Sequence, residues 1–327
     1  MEDRKLIVSP SPHILSKHST TRNIMLMVVI ALLPTLAAAA IIFGWEVLLL
    51  TGVTVAACVG FETLYCVIMK KKVPVGDFSA VVTGLILAFN LPPSFPLWMA
   101  VIGAFVAIVI VKQLFGGIGF NFANPALVGR IVLQLSFTGR MITYIYPQSW
   151  SGVDALATAT PMYALHNGPL PLMDLLLGTH AGVLGETCAL TLIIGGAFLI
   201  ATKVISPVIP LTYVGGVFAF KFLLGLAGGA AASASALSAL SSILAGGLLL
   251  GAFFMATDYT TSPYTRSGKF VYGLLLAIVT TAIREWAGMV EGVSYALLLC
   301  NLLVPYINEL SRQRPMGVGR GKRKGAA

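Results

Sequence analysis

Apolar runs recur along almost the whole chain, at 24–43, 47–69, 78–91, 97–111, 124–137, 182–202, 208–224, 234–256, 270–283 and 293–310. A bilayer core is crossed by about 20 apolar residues in a helix, because every backbone polar group must find its partner inside the segment. Most of these runs are long enough. The third, fifth and ninth are short, which predicts helices that tilt, break or extend into polar flanks. With 57% hydrophobic and 10% charged residues and a mean hydropathy of +0.90, the chain cannot build a soluble surface. The expected fold class is an all-α integral membrane protein of about ten transmembrane helices.

The formal charge of +9 would suggest nucleic acid in a soluble domain, but here most of the charge lies beside apolar runs. With the N-terminus inside, 17 of the 21 lysines and arginines fall on the inner side, and the remainder are Arg130, Arg140, Lys221 and Arg284. Positive charge resists translocation, so both termini are expected in the cytoplasm and nucleic acid is not expected as a partner. The first run is too long for a cleaved signal peptide and is expected to be retained. The same count places the loop 138–181 outside. The expected organisation is a cytoplasmic segment 1–23, five helices over 24–137, the outer loop 138–181, five helices over 182–310 and a basic tail 311–327.

The two blocks resemble each other. Gly84 stands twelve positions before Pro96, and Gly251 stands twelve before Pro263. Each then continues into an apolar segment, a link and a final apolar helix. Five segments per block is an odd number, so such repeats would be inserted in opposite orientations, with short or broken helices where they meet.

Two interruptions stand out. Lys112 to Pro125 holds Gly116, Gly117, Gly119, Asn121 and Asn124, and its counterpart runs from Met255 to Pro263 through Asp258. Glycines let backbone approach a flat ligand, Asn supplies donors and acceptors, and a helix starting at Pro125 turns free N–H groups outward. A flavin ring or a partly dehydrated cation would suit, as would ordinary turns in inner loops.

In the outer loop, Asp154-Ala155-Leu156-Ala157-Thr158-Ala159-Thr160-Pro161 places a hydroxyl at the end of a small-residue run. That hydroxyl is a candidate attachment point for a cofactor. The Pro, Gly, Tyr and Trp content of 144–152 suggests a structured loop, and loops of this length are often functional.

Taken together, these motifs resemble the NqrB/RnfD family: Asp154 to Thr160, Phe115 to Asn121, Asn124-Pro125-Ala126, the lead-in Ser9 to His13, and Ala256-Thr257-Asp258. The members of that family are membrane subunits of Rnf-type ion-translocating electron-transport complexes and of sodium-pumping quinone reductase. The resemblance spans nearly the whole chain. It implies a bacterial inner-membrane protein and FMN joined by its phosphate to the Thr160 hydroxyl by a dedicated flavin transferase. Asp154, Ala155, Ala159 and Thr160 match the transferase motif. Ala157 stands where Ser or Thr is usual and Thr158 where a smaller residue is usual, which keeps Thr158 as a second possible acceptor. The resemblance further implies a second, noncovalent flavin, riboflavin or FMN, near Asn121, Asn124 and Asp258. Other membrane and peripheral subunits would supply and remove electrons, coupling ferredoxin and NAD oxidoreduction to movement of sodium ions or protons.

Other cofactors find little support. Cys58, Cys66, Cys188 and Cys300 are scattered through apolar segments without cluster or zinc spacing, and behave as small hydrophobes. Arg266-Ser267-Gly268-Lys269 lacks the rest of a P-loop. For ion movement the candidates are Glu62, Glu186 and Asp77, since charge in a bilayer is costly and usually has a task. Glu62 could instead neutralise Lys221 or Arg130, Asp77 could be a helix cap, and Asp258 closes the eighth run. The rival readings are an inverted-repeat channel or transporter without redox role, and a scaffold that anchors partners.

Overall fold

The structure, a computed structural model, describes residues 20–71, 73–145, 157–158, 172–287 and 292–312. Asp154, Ala155, Ala159 and Thr160 lie outside the described residues, as does the lead-in at 9–13. Among the described residues the chain is helical, apart from one antiparallel pair of two-residue strands. Helix α1 spans Thr21–Phe43 and α2 spans Glu46–Ile68, followed by α3 at Ser79–Phe89, α4 at Leu97–Gln113 and α5 at Pro125–Ser136. Short α6 (Thr138–Met141) leads to strand β1 (Tyr144–Ile145), which pairs with β2 (Ala157–Thr158). After α7 (Leu172–Leu177) come α8 (Ala189–Ala201), α9 (Val208–Ala227), α10 (Ala232–Leu244), α11 (Leu248–Met255), α12 (Arg266–Trp286) and α13 (Val293–Leu310).

Five of these helices, α1, α2, α9, α12 and α13, are long and apolar enough to cross a bilayer. A sixth crossing is available if α10 and α11, bent by 63° where they meet, count as one. The remaining apolar helices α3, α4, α5 and α8 are shorter. The third and fifth runs are short, as expected. The ninth is not: α12 has 21 residues, because it starts at the Thr265 cap, whose hydroxyl accepts from Gly268 N, and carries on through Arg284. Arg284 tolerates burial there because its guanidinium is hydrogen-bonded inside the protein. The sixth run also differs. Glu186 lies in a loop ahead of α8 and not within it.

Local chemistry explains most of the ends. Asn124 caps α5 by accepting from Ala126 N at 3.1 Å and Leu127 N at 3.4 Å, with Pro125 at the first helical position. The α10–α11 break is made by Gly246 and Gly247, both at positive φ, where other residues would be strained. Two π-helical turns, Val106–Gln113 at the end of α4 and Gly251–Met255 in α11, precede the two interruptions marked in the sequence.

Packing is built on small residues, as expected where lipid removes the hydrophobic drive for helix association. α2 packs on α3 and α4, α9 packs on α10 and α12, and α1 packs on α8, while α13 touches both α12 and α5. Buried hydroxyls tie neighbours together: Tyr213 Oη lies 2.7 Å from Thr280 Oγ1, and Tyr272 donates to Asn301 Oδ1 at 2.6 Å. At the α1–α8 crossing, a Cβ on Gly195 would press against the Ala31 carbonyl oxygen. Gly195→Ala is therefore expected to destabilise the fold by about 1–3 kcal/mol. The loss would be read as a lower thermal midpoint in detergent, with Gly215→Ala, which meets nothing within 4 Å, as the neutral control.

Candidate functional site

The two interruptions, far apart in sequence, face one cavity of about 400 Å³. Asn121, Asn124 and Pro125 come to it from the link between α4 and α5, and Thr257, Asp258 and Thr260 from the link after α11. Ser79 and Thr83 of α3 and Lys112 of α4 add polar groups, while Met25 and Val28 of α1, Ile86, and Phe253 and Phe254 supply apolar walls. The size and the mixture of apolar lining with a few convergent polar groups suit a small organic ligand.

Each polar group has a defined state. Asn124 spends its carbonyl oxygen on the α5 cap. Asp258 turns back on its own link, accepting from Thr260 N at 3.4 Å and Thr261 Oγ1 at 3.3 Å. Asn121 differs: its carbonyl oxygen is buried and accepts no hydrogen bond. Such an acceptor costs free energy unless a donor arrives, which fits a ligand carrying an N–H. Gly116, Gly117 and Gly119 all lie at positive φ, so the link turns tightly there as a glycine-rich segment can. The three residues assigned to a second flavin are thus brought together, and Lys112, expected in an inner loop, is found buried on α4 at 2% exposure.

The acidic residues sort differently from the sequence expectation. Glu62 pairs with neither Lys221 nor Arg130. Its Oε1 lies 2.6 Å from Lys112 Nζ and accepts from Gln113 Nε2 at 2.8 Å, because α4 delivers both side chains against α2. Lys221 of α9 instead meets Glu285 of α12. Arg130 donates to Asn90 Oδ1 at 3.0 Å and Ser294 Oγ at 2.6 Å, and approaches Glu186 at 3.9 Å. The N-cap position of α3 is Phe78, and Asp77, one residue before it, accepts from Ser79 N at 2.8 Å and Ser79 Oγ at 2.6 Å at the start of the helix. Three of the four basic residues outside the inner-side count, Arg130, Lys221 and Arg284, therefore serve internal contacts, while Arg140 is exposed. Sequence reasoning missed Lys112, Ser79 and Arg284. Only its falling outside the inner-side count, at the end of an apolar run, marked Arg284.

Within the segment 138–181, the β1–β2 pair sets Tyr144 opposite Thr158 and Ile145 opposite Ala157. Tyr144 is buried, which pushes its hydroxyl above the ordinary phenol range, with Glu186 adding to the shift and Arg130 opposing it. The segment two residues before Thr160 is thereby joined through β1 to the Arg130–Glu186 region. The four cysteines are free and buried, in keeping with a packing role.

Comparison with known proteins gives a match over residues 7–317 to the family described as "NQR2, RnfD, RnfE family". The chain is similar, at 41% identity over 333 residues and 100% of both chains, to the D subunit of the Na(+)-translocating ferredoxin:NAD(+) oxidoreductase complex of Acetobacterium woodii. It is 36% identical, over 96% of each chain, to the D subunit of the proton-translocating ferredoxin:NAD(+) oxidoreductase complex of Clostridium ljungdahlii. The D subunit of the ion-translocating oxidoreductase complex of Actinobacillus succinogenes is 33% identical over 95% of this chain and 98% of its own.

Proposed function

Because the chain belongs to the NQR2, RnfD, RnfE family, we propose that it is the flavin-carrying membrane subunit of a complex coupling ferredoxin:NAD oxidoreduction to ion translocation, with FMN on Thr160 as one relay. Two relatives named for sodium and for protons leave both ions open as cargo. The observation that carries the reading is the cavity in which Asn121, Asn124 and Asp258 converge from two distant links, with an unsatisfied acceptor on Asn121. That site suits a second, noncovalent flavin, riboflavin or FMN.

In this reading the chain forms ten spans in two inverted repeats of five, with both termini cytoplasmic and Thr160 outside. The packing supports it: α2 against α3 and α4 corresponds to α9 against α10 and α12, and α5 answers α13 across the centre. The cavity and the attachment segment then lie toward opposite faces, so electrons would cross the bilayer between them. A bound flavin supplies one- and two-electron chemistry. The chain's own residues orient it: Asn121 accepts an N–H, Phe253 and Phe254 exclude water, and the phosphoester at Thr160 prevents loss through turnover. Partners bring and remove the electrons.

The test is co-expression with a flavin transferase, denaturation, and a search for flavin fluorescence that stays with the protein band. A colourless protein that moves a solute by itself in liposomes would establish the transporter instead. The second flavin has its own check. Asn121→Leu is expected to weaken it about tenfold, since a ligand donor would be left buried without an acceptor. The measurement is flavin released by acid from the native protein, with fluorescence of the protein band unchanged.

A further inference from the structure

A hydrogen-bonded series of side chains runs from half-buried Asp77 to fully buried Glu62. Ser79 Oγ donates to Asp77 Oδ1 at 2.6 Å, Lys112 Nζ donates to Ser79 Oγ at 2.6 Å, and the same Nζ lies 2.6 Å from Glu62 Oε1. Every link is within hydrogen-bond reach. Ser79 and Lys112 also line the cavity. The series ends on an open position, because Glu62 Oε2 is buried and has no hydrogen-bond partner.

We propose that Asp77, Ser79, Lys112 and Glu62 form a proton-transfer chain from the protein surface past the cavity, whose wall Ser79 and Lys112 help form, to buried Glu62 as its inner terminus. Lys112 passes one ammonium proton to the Glu62 carboxylate and becomes a neutral amine. The Ser79 hydroxyl rotates, gives its proton to that amine and takes one from the protonated Asp77 carboxyl. One O–H bond has been broken at Asp77 and one formed at Glu62, and no electrons change hands.

Lys112 argues for protons over a metal cation. Its ammonium already occupies the cation position on Glu62 Oε1, and Gln113 turns its N–H₂ toward the same oxygen. Among the described residues, Cys58 and Cys66 on α2, and Asp258 across the cavity, also face the series. Burying a carboxylate and an ammonium together is rarely a gain in stability over apolar packing, so their retention inside a helix bundle is better explained by a task.

The inference rests on reading the chain as part of an ion-moving redox complex, and its test separates the two. In the whole purified complex, infrared difference spectra on reduction should show a carboxylic C=O band that is lost in Glu62→Gln. Ser79→Ala, which keeps the Lys112–Glu62 contact, should slow the rise of that band about tenfold or more, and Ser79→Thr should restore it. A band rising at the wild-type rate in Ser79→Ala, a band persisting in Glu62→Gln, or no band at all overturns the chain. Flavin fluorescence of the same preparations, read on denatured protein, reports the cofactor reading independently.

Discussion

Replacing Thr160 by Val is expected to remove all flavin fluorescence from the denatured protein band, while leaving membrane insertion and helix content as they were. A phosphoester requires an oxygen nucleophile, and valine is nearly isosteric with threonine but has none. The neighbouring hydroxyl is the instructive control. Thr158 lies in β2 opposite Tyr144, where the backbone is engaged in a strand pair, so its replacement by Val is expected to leave the fluorescence in place. Fluorescence surviving Thr160→Val and vanishing with Thr158→Val would move the acceptor by two residues. Peptide mass spectrometry over 154–160 gives the same answer directly, as the added mass of FMN or its absence.

How much of this was legible in the sequence depends on the range of the interaction. The bilayer imposes a period and a length on each segment, so the apolar runs alone located the longer helices, though not the short α6 and α7 within 138–181. The Gly-rich link and the Asn-Pro pair announced an interrupted helix, since their backbone preferences are local. Convergence of Asn121 and Asp258 on one cavity was suggested by resemblance and required the fold to place them. Pairing was beyond reach. Glu62 could be matched with Lys221 or Arg130 on charge alone, but which cation meets it is set by the rotation of α4 against α2, and that presents Lys112. Helix length failed at the ninth run for a related reason. Hydropathy penalises Arg284, yet much of the cost is offset when carbonyls at the end of α10 receive both of its terminal nitrogens.

That last arrangement carries the largest expected loss of stability. Arg284 Nη1 donates to the Ser242 carbonyl at 2.7 Å and its hydroxyl at 3.3 Å, and Nη2 donates to the carbonyls of Ala245 at 3.3 Å and Gly246 at 2.8 Å. These are the carbonyls at the end of α10, where the helix break leaves acceptors without intrahelical donors and concentrates negative partial charge. Arg284→Met keeps much of the volume but strands the acceptors in the interior, and it takes one positive charge from the vicinity of Glu186. The expected cost is about 3–5 kcal/mol, the range for breaking a buried charged network by removing one partner. Arg284→Lys should recover only part of it, because a single ammonium cannot reach the Ser242, Ala245 and Gly246 acceptors together as the guanidinium fork does. The measurement is the thermal midpoint of the purified chain in detergent, ordered wild type, Lys, Met. A Met variant that melts with the wild type would mean that the glycine pair, and not Arg284, holds the bend.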